Sequence, residues 1–212
     1  MIKIKNLLFD LGGVIMDLDR SRCVEAFREL GMKNPDEFLG VYGQKGDFLA
    51  LERGDIDADE FHRRIRPLFS RPVTDEEIDR AFDRFLIGIP LHRLQALRAL
   101  RAEGYKVYLL SNTNPIMMDG FIADQFRQEG LEMADYFDGE VCSYKAHCYK
   151  PEPEIFEYTC RKFGIKPSET LFFDDSQANV DAARALGFEA ETVAPGTEFT
   201  DILSTFQPRQ TL

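Results

Sequence analysis

Apolar residues in this chain follow two rhythms that take turns. In the first, short unbroken runs end abruptly in polar residues: Leu7-Leu8-Phe9 stops at Asp10, Val107 to Leu110 stops at Ser111-Asn112-Thr113-Asn114, and Leu171-Phe172-Phe173 stops at Asp174-Asp175. Runs of this kind predict strands buried on both faces, as in a parallel sheet. Residues 137–143 and 188–193 carry two further strand patterns. In the second rhythm, apolar residues recur at helical spacing. Val24, Phe27 and Leu30 stop at Gly31; Leu91, Leu94, Leu97 and Leu100 run to Gly104; residues 153–163 end at Gly164. Helices are also predicted over residues 117–128, from a cap at Ser176 to Leu186-Gly187, and over 200–206. Strands alternating with helices predict an α/β fold, a parallel sheet with helices on both faces.

Residues 17–89 interrupt that alternation, and no stretch within them reads as a strand. The turn Lys33-Asn34-Pro35-Asp36 leads into a helix, and another covers 48–52 and closes at Gly54. Asp57 is placed as an N-cap with Glu60 at the third helical position and Ile56 and Phe61 flanking the turn. Thr74, Glu77, Val73 and Ile78 repeat the same grammar. The block is therefore read as an all-helical segment inserted after the first strand. Phe48, Leu49, Leu51 and Phe61 are expected in its own core rather than in a substrate wall. His62 and His92 have no ligand set beside them.

Composition narrows the partners. The 212 residues are 44% hydrophobic and 30% charged, enough for one sizeable core with a smaller insert. With 26 basic against 37 acidic residues, the net charge of −11 argues against extended nucleic-acid or anionic-membrane binding. A small anionic ligand would need a metal ion or a few placed cations. Apolar runs are too short to span a bilayer, and residues 1–5 lead into a strand rather than a signal peptide, so the cytoplasm is expected. Cys23, Cys142, Cys148 and Cys160 form no C-x-x-C pair and are read as free thiols. Cys142 and Cys148 beside His147 resemble a metal-ligand cluster, but a loop with such soft ligands is more often without a metal.

In a parallel sheet the carboxyl ends of the strands share one edge, where α/β proteins bind ligands. That edge would gather Asp10, Ser111 to Asn114 and Asp174-Asp175. Asp10 is the candidate nucleophile, and Gly12-Gly13 let the backbone turn tightly and bring N–H groups to an anion. Lys150-Pro151-Glu152-Pro153 sets a lysine just before a helix. Each motif alone has a plainer reading, as a turn, a solvated lysine or a helix start. In this order, however, Asp10-Leu11-Gly12-Gly13, Ser111-Asn112-Thr113-Asn114, Lys150-Pro151 and Asp174-Asp175-Ser176 resemble the four motifs of the haloacid dehalogenase superfamily. The resemblance covers nearly the whole chain. It implies a Rossmann-like core of residues 1–16 and 90–212 with a helical cap of residues 17–89. The local wording is most similar to small bacterial sugar-phosphate phosphatases, α-glucose-1-phosphate phosphatases among them.

What the resemblance implies is hydrolysis of a small phosphorylated metabolite through an aspartyl phosphate on Asp10. Mg²⁺ would be held by Asp10, the Gly12 carbonyl and Asp175, with Asp174 in or just outside that set. Lys150 would balance Asp10 and hold a phosphoryl oxygen. The Ser111 hydroxyl and the N–H groups of Leu11, Gly12 and Asn112 would hold the others. One position departs from the family. Its phosphatases usually carry a second aspartate two residues after the nucleophile, and here Gly12 has no side chain to move a proton. Three readings stay open: a substrate with a good leaving group, a proton from the insert (Gln44, Lys45, Asp17 and Asp19 are the nearest polar residues), or a pocket that binds without turnover. Dehalogenases of the superfamily also lack that aspartate, but they work without metal and have no use for Asp174-Asp175. Gly12→Asp is expected to favour poor leaving groups over good ones.

Overall fold

The computed structural model describes residues 4–40 and 46–206; Gln44 and Lys45 lie outside them. Buried from end to end, β1 (Asn6–Phe9) is the middle strand of a sheet. A two-residue strand, β2 (Asp17–Leu18), follows it and pairs antiparallel with β3 (Leu86–Gly88). The sheet is completed by β4 (Lys106–Ser111), β5 (Gly139–Cys142), β6 (Thr170–Asp174) and β7 (Glu189–Thr192). Its order is β5-β4-β1-β6-β7, with every pair parallel. Phe9 stands level with Leu109 and Phe173, so Asp10, Ser111 and Asp174 arrive at one edge. From β1 the chain moves outward through β4 and β5, then on the other side through β6 and β7. This reversal puts a topological switch, the usual ligand crevice, beside β1.

The strand runs are unbroken because both faces are covered. Leu7, Phe9, Val107, Leu109, Leu171 and Phe173 join one hydrophobic cluster, whereas Leu8, Tyr108, Leu110 and Phe172 join the other, as the two-residue period of a strand demands. On the first face Phe9 stacks on Phe173 at 5.0 Å and meets the edge of Phe199 at 5.0 Å. That cluster continues into Phe27, Phe48, Phe61 and Phe82. These belong to the helical stretch α1 (Arg20–Glu29), α2 (Pro35–Leu39), α3 (Gly46–Arg53), α4 (Ala58–Ile65) and α5 (Asp75–Asp83).

Both expected caps form. The Asp57 side chain accepts from the Glu60 N–H at 2.8 Å, and Thr74 with Glu77 makes a reciprocal capping box. The Glu60 carboxylate does not close a second box; it pairs with Arg63 and Arg64. The stretch is not free of strands, contrary to expectation. β2 and β3 frame it, and segments of two and three residues are too short to display an alternation. Their base is held by Arg93 of α6 (Leu91–Ala102), which donates to Asp17 Oδ1 at 2.7 Å, the Ile15 carbonyl at 3.2 Å and both Glu198 oxygens at 2.8 and 2.9 Å.

Two further departures concern helices. The helix expected over residues 117–128 is broken at Gly120, whose backbone is non-helical, between Pro115–Met117 and Ala123–Phe126. After α7 (Pro153–Phe163), which ends at Gly164 with φ 66°, α8 (Gln177–Ala185) does start at Ser176, yet the serine side chain makes no capping bond. A carboxylate of Asp174 takes the Ser176 N–H instead, at 2.8 Å. The last described helix is α9 (Phe199–Thr205). Among the described residues no helix is long and apolar enough to cross a membrane.

Candidate active site

Asp10 follows the last residue of β1, with its own N–H donated to the Phe173 carbonyl at 2.8 Å. The chain then folds back at once: the N–H groups of Ile15 and Met16 both reach the Leu11 carbonyl, at 2.9 and 2.8 Å. Gly13 sits in this turn at φ +71°, and a Cβ there would lie 2.4 Å from Asp175 Oδ2. Only glycine meets both demands, so the second glycine of the motif lets Asp175 approach the loop that follows Asp10.

Lys150 is 1% exposed and lies between two carboxylates, 2.8 Å from Asp10 Oδ1 and 2.6 Å from Asp174 Oδ2. Its backbone is pinned by the Asn112 side chain, which donates to the Lys150 carbonyl at 3.0 Å and accepts from its N–H at 2.9 Å. The other Asp174 oxygen accepts from the Ser176 N–H at 2.8 Å and from Asn179 Nδ2 at 2.9 Å. Asp174 therefore has both oxygens committed. Leu11 N–H donates to Asp10 Oδ1 at 2.7 Å. Ser111 is buried, and its hydroxyl has only a 3.5 Å contact to the Asn112 carbonyl.

Burial pushes the Asp10 carboxyl well above its ordinary range, with Lys150 opposing and Asp174 and Asp175 adding to the rise. Burial and Asp174 likewise raise Asp175 against Lys150. For Lys150, burial works to lower the pKa, but Asp10 and Asp174 outweigh it and the ammonium is held above its usual value. Three carboxylates thus face one ammonium, and they call for a second cation. Oxygens of Asp10, Asp174 and Asp175 lie within 4.8 Å of one another. An all-oxygen donor set with one exposed member suits a hard divalent ion that keeps part of its water.

Gly12 is outside the left-handed region, so conformation does not bar a side chain there. A side chain does need room made for it: a Cβ on Gly12 would lie 2.7 Å from Leu18 Cδ1, the tip of a flexible, half-buried side chain that must move aside. The place of the family's second aspartate is taken by a methyl group of β2. Gly12→Asp alone is expected to lower stability by about 1 kcal/mol or less, below the usual cost of overpacking because the Leu18 tip can swing aside, and Leu18→Ala is expected to recover part of that in the double variant. Denaturant melts of the four proteins check it; strict additivity of the two changes would remove Leu18 as the cause.

A cavity of about 150 Å³ opens over Asp10, Gly12, Ser111 and Asp175. Its far walls come from the helical stretch and its flanking strands, through Leu18, Phe48, Glu52, Phe85 and Leu86. Phe48 is 2% exposed and packs on Phe82 at 4.8 Å, so it belongs to the core as expected and also borders the cavity. Two residues that sequence reasoning did not single out for chemistry meet here. The Tyr149 hydroxyl donates to Glu52 Oε2 at 3.1 Å, and burial above all keeps that phenol protonated. The signal for Glu52 was present in its spacing: a carboxylate four residues after Phe48 falls on the buried stripe of α3.

Other candidates are placed elsewhere. Asp17 is engaged by Arg93, and Asp19 caps α1 through the Ser21 N–H at 2.9 Å. Neither borders the cavity. His62 is buried against Asp79 at 2.6 Å, and His92 is exposed. Cys142 is buried and Cys148 half-buried. Among the described residues, the ligand atoms close enough together to hold a metal are those of Asp10, Asp174 and Asp175.

Comparison with known proteins gives a consistent picture. Residues 4–187 match the family model described as haloacid dehalogenase-like hydrolase. A D-ribitol-5-phosphate phosphatase of Bacteroides thetaiotaomicron is 40% identical over 201 residues, covering 95% of this chain and 97% of that protein. A crystal structure of a family enzyme from the same organism, in complex with magnesium and inorganic phosphate, superposes with a TM-score of 0.88 at 41% identity, covering 94% of this chain and 98% of the other. A hydrolase structure from Porphyromonas gingivalis gives 0.87 at 33% identity, over 95% and 96% of the two chains.

Proposed function

The chain belongs to the haloacid dehalogenase-like hydrolase family, and we propose that it cleaves a short sugar or polyol phosphate with Asp10 as nucleophile. It is a Mg²⁺-dependent phosphatase of small phosphorylated metabolites. The observation that carries the finer reading is the buried Lys150 ammonium between Asp10 and Asp174, beside Asp175 at the sheet's carboxyl edge.

An Asp10 oxygen attacks phosphorus, the bond from phosphorus to the leaving oxygen breaks, and an aspartyl phosphate remains. Water then attacks that phosphorus and frees the carboxylate. Lys150 opposes the rise that burial imposes on the Asp10 carboxyl, orients it and holds a phosphoryl oxygen. The N–H groups of Leu11, Gly12 and Asn112 and the Ser111 hydroxyl take the others, Leu11 by turning its donation from Asp10 to the substrate. Asp10, the Gly12 carbonyl and Asp175 would hold Mg²⁺, which would neutralise charge on the phosphoryl group. Asp174 acts through Lys150 and is a positioning residue. Residues 17–89 are the cap of this reading and residues 1–16 with 90–212 the core, joined through the β2–β3 ribbon. The cysteines, free thiols throughout, suit a reducing compartment, and we assign the enzyme to the cytoplasm.

The test is a panel of phosphorylated metabolites, D-ribitol-5-phosphate and α-glucose-1-phosphate included, assayed with Mg²⁺ and with a chelator. Phosphate release from sugar or polyol phosphates is expected to stop on chelation and return with added Mg²⁺. Bound Mg²⁺ without turnover of any ester would leave a binding protein, and metal-free halide release from 2-haloacids would make it a dehalogenase.

A further inference from the structure

Asp10, Asp175 and Glu52 are the carboxyl groups on the described wall of the cavity. The first two are taken up by nucleophile and metal. Glu52 is 4% exposed and lines the cavity together with Leu18, Phe48, Phe85 and Leu86, a part of the wall that carries none of the four motifs. In-line displacement sends the leaving oxygen away from Asp10, and the cavity that Asp10 lines is closed by that wall as well.

The end of α3 is fixed in place by three consecutive residues. Glu52 accepts from Tyr149, next to Lys150 in the chain. Arg53 pairs with Glu152. Gly54, at φ +72°, lies so close to the Tyr144 carbonyl that a Cβ would come within 2.2 Å of its oxygen. A carboxyl group on the helical stretch is thereby docked against the segment that carries the catalytic lysine.

We propose that Glu52 is the proton carrier that Gly12 does not supply. This rests on the phosphatase reading above. As Asp10 attacks, the bond between phosphorus and the leaving oxygen breaks and that oxygen takes the proton of the Glu52 carboxyl. The Glu52 carboxylate then takes a proton from the water that attacks the aspartyl phosphate, and the bond between phosphorus and Asp10 breaks. One water is consumed per ester, and Glu52 ends protonated as it began.

Glu52→Gln keeps the size of the side chain and its ability to accept from Tyr149, and a thermal melt confirms folding. In rapid-mixing experiments with Mg²⁺, cleavage of an alkyl phosphate is expected to fall by about 10²-fold or more. The first burst of nitrophenolate from p-nitrophenyl phosphate is expected to be unchanged, because that leaving group needs no proton. Hydrolysis of the intermediate slows in the variant, so the phosphorylated protein accumulates and is seen by intact mass after acid quench. Adding Gly12→Asp with Leu18→Ala is expected to restore part of the alkyl phosphate activity. Tyr149→Phe, which removes the contact and keeps the carboxyl group, is expected to lower alkyl phosphate cleavage less than Glu52→Gln does. Equal losses on both leaving groups, or a raised KM with unchanged kcat, would overturn the proposal. A wild-type protein that released no phosphate from any ester with Mg²⁺ would instead strike down the phosphatase reading itself.

Discussion

Asp10→Asn is expected to lower phosphate release by about 10⁴-fold or more, the order of loss when a nucleophile is taken from a unit that works together. The amide has nearly the shape of the carboxylate and no capacity to form the acyl phosphate. Lys150 keeps its 2.6 Å partner in Asp174, so the site loses a charge without losing its ammonium. Stability should move the other way. The folded-state pKa of Asp10 is raised, so its contribution is fully present below the unfolded carboxylate range and is lost as pH rises through the folded value. Without metal, the variant should therefore melt at a higher temperature relative to wild type at pH 8 than at pH 5. Intact mass after mixing with substrate gives the decisive readout: wild type passes through a phosphorylated form, and Asp10→Asn never does. A variant that retained a tenth of the activity would shift the nucleophile elsewhere.

Lys150→Met carries the second large effect, this time on folding as well as turnover. Removing one partner of a buried ion pair costs about 3–5 kcal/mol because the other partner is left unpaired, and here two carboxylates are left. For a chain of this size that corresponds to a fall in Tm of about 10 °C. Lys150 has a raised folded-state pKa, so its contribution is complete below the unfolded lysine range and is fully present at neutral pH. The loss should shrink toward pH 5, where Asp10 takes up a proton in compensation. Mg²⁺ should raise the Tm of the variant more than that of wild type, because the ion then supplies the missing positive charge. Calorimetry at two pH values, with and without Mg²⁺, tests each point. A variant as stable as wild type at pH 8 would show that Lys150 does not balance the carboxylates.

The sheet was legible because its strands are covered on both faces, which leaves apolar runs that end where the chain meets the crevice. Asp10, Ser111 and Asp174 needed only a parallel register to come together, and Phe9 level with Leu109 and Phe173 supplies it. Caps such as Thr74 with Glu77 were equally open to reading, since the signal lies within four residues. Less local features were hidden. The β2–β3 ribbon is too short to have a period. Ser176 holds the capping position, but the charged Asp174 is the stronger acceptor and takes its N–H. Spacing puts Glu52 on the buried stripe of α3, but its contact with Tyr149 comes from α3 packing against residues 144–152, which no spacing along the chain records. Leu18 in the place of a Gly12 side chain is of the same kind, a substitution across space.

The ribbon also bears on how the fold is reached. Asp17 pairs with Gly88 and Leu18 with Leu86, so the whole helical excursion leaves and returns at neighbouring points. For the sheet it behaves as a loop whose ends are already together. The chain entropy of closing such a loop grows only with the logarithm of its length. Lengthening, shortening or exchanging the helices between Leu18 and Leu86 therefore changes the walls of the cavity at little entropic cost to β1. The strand that leads to Asp10 can stay constant while the shape of the cavity above it diversifies.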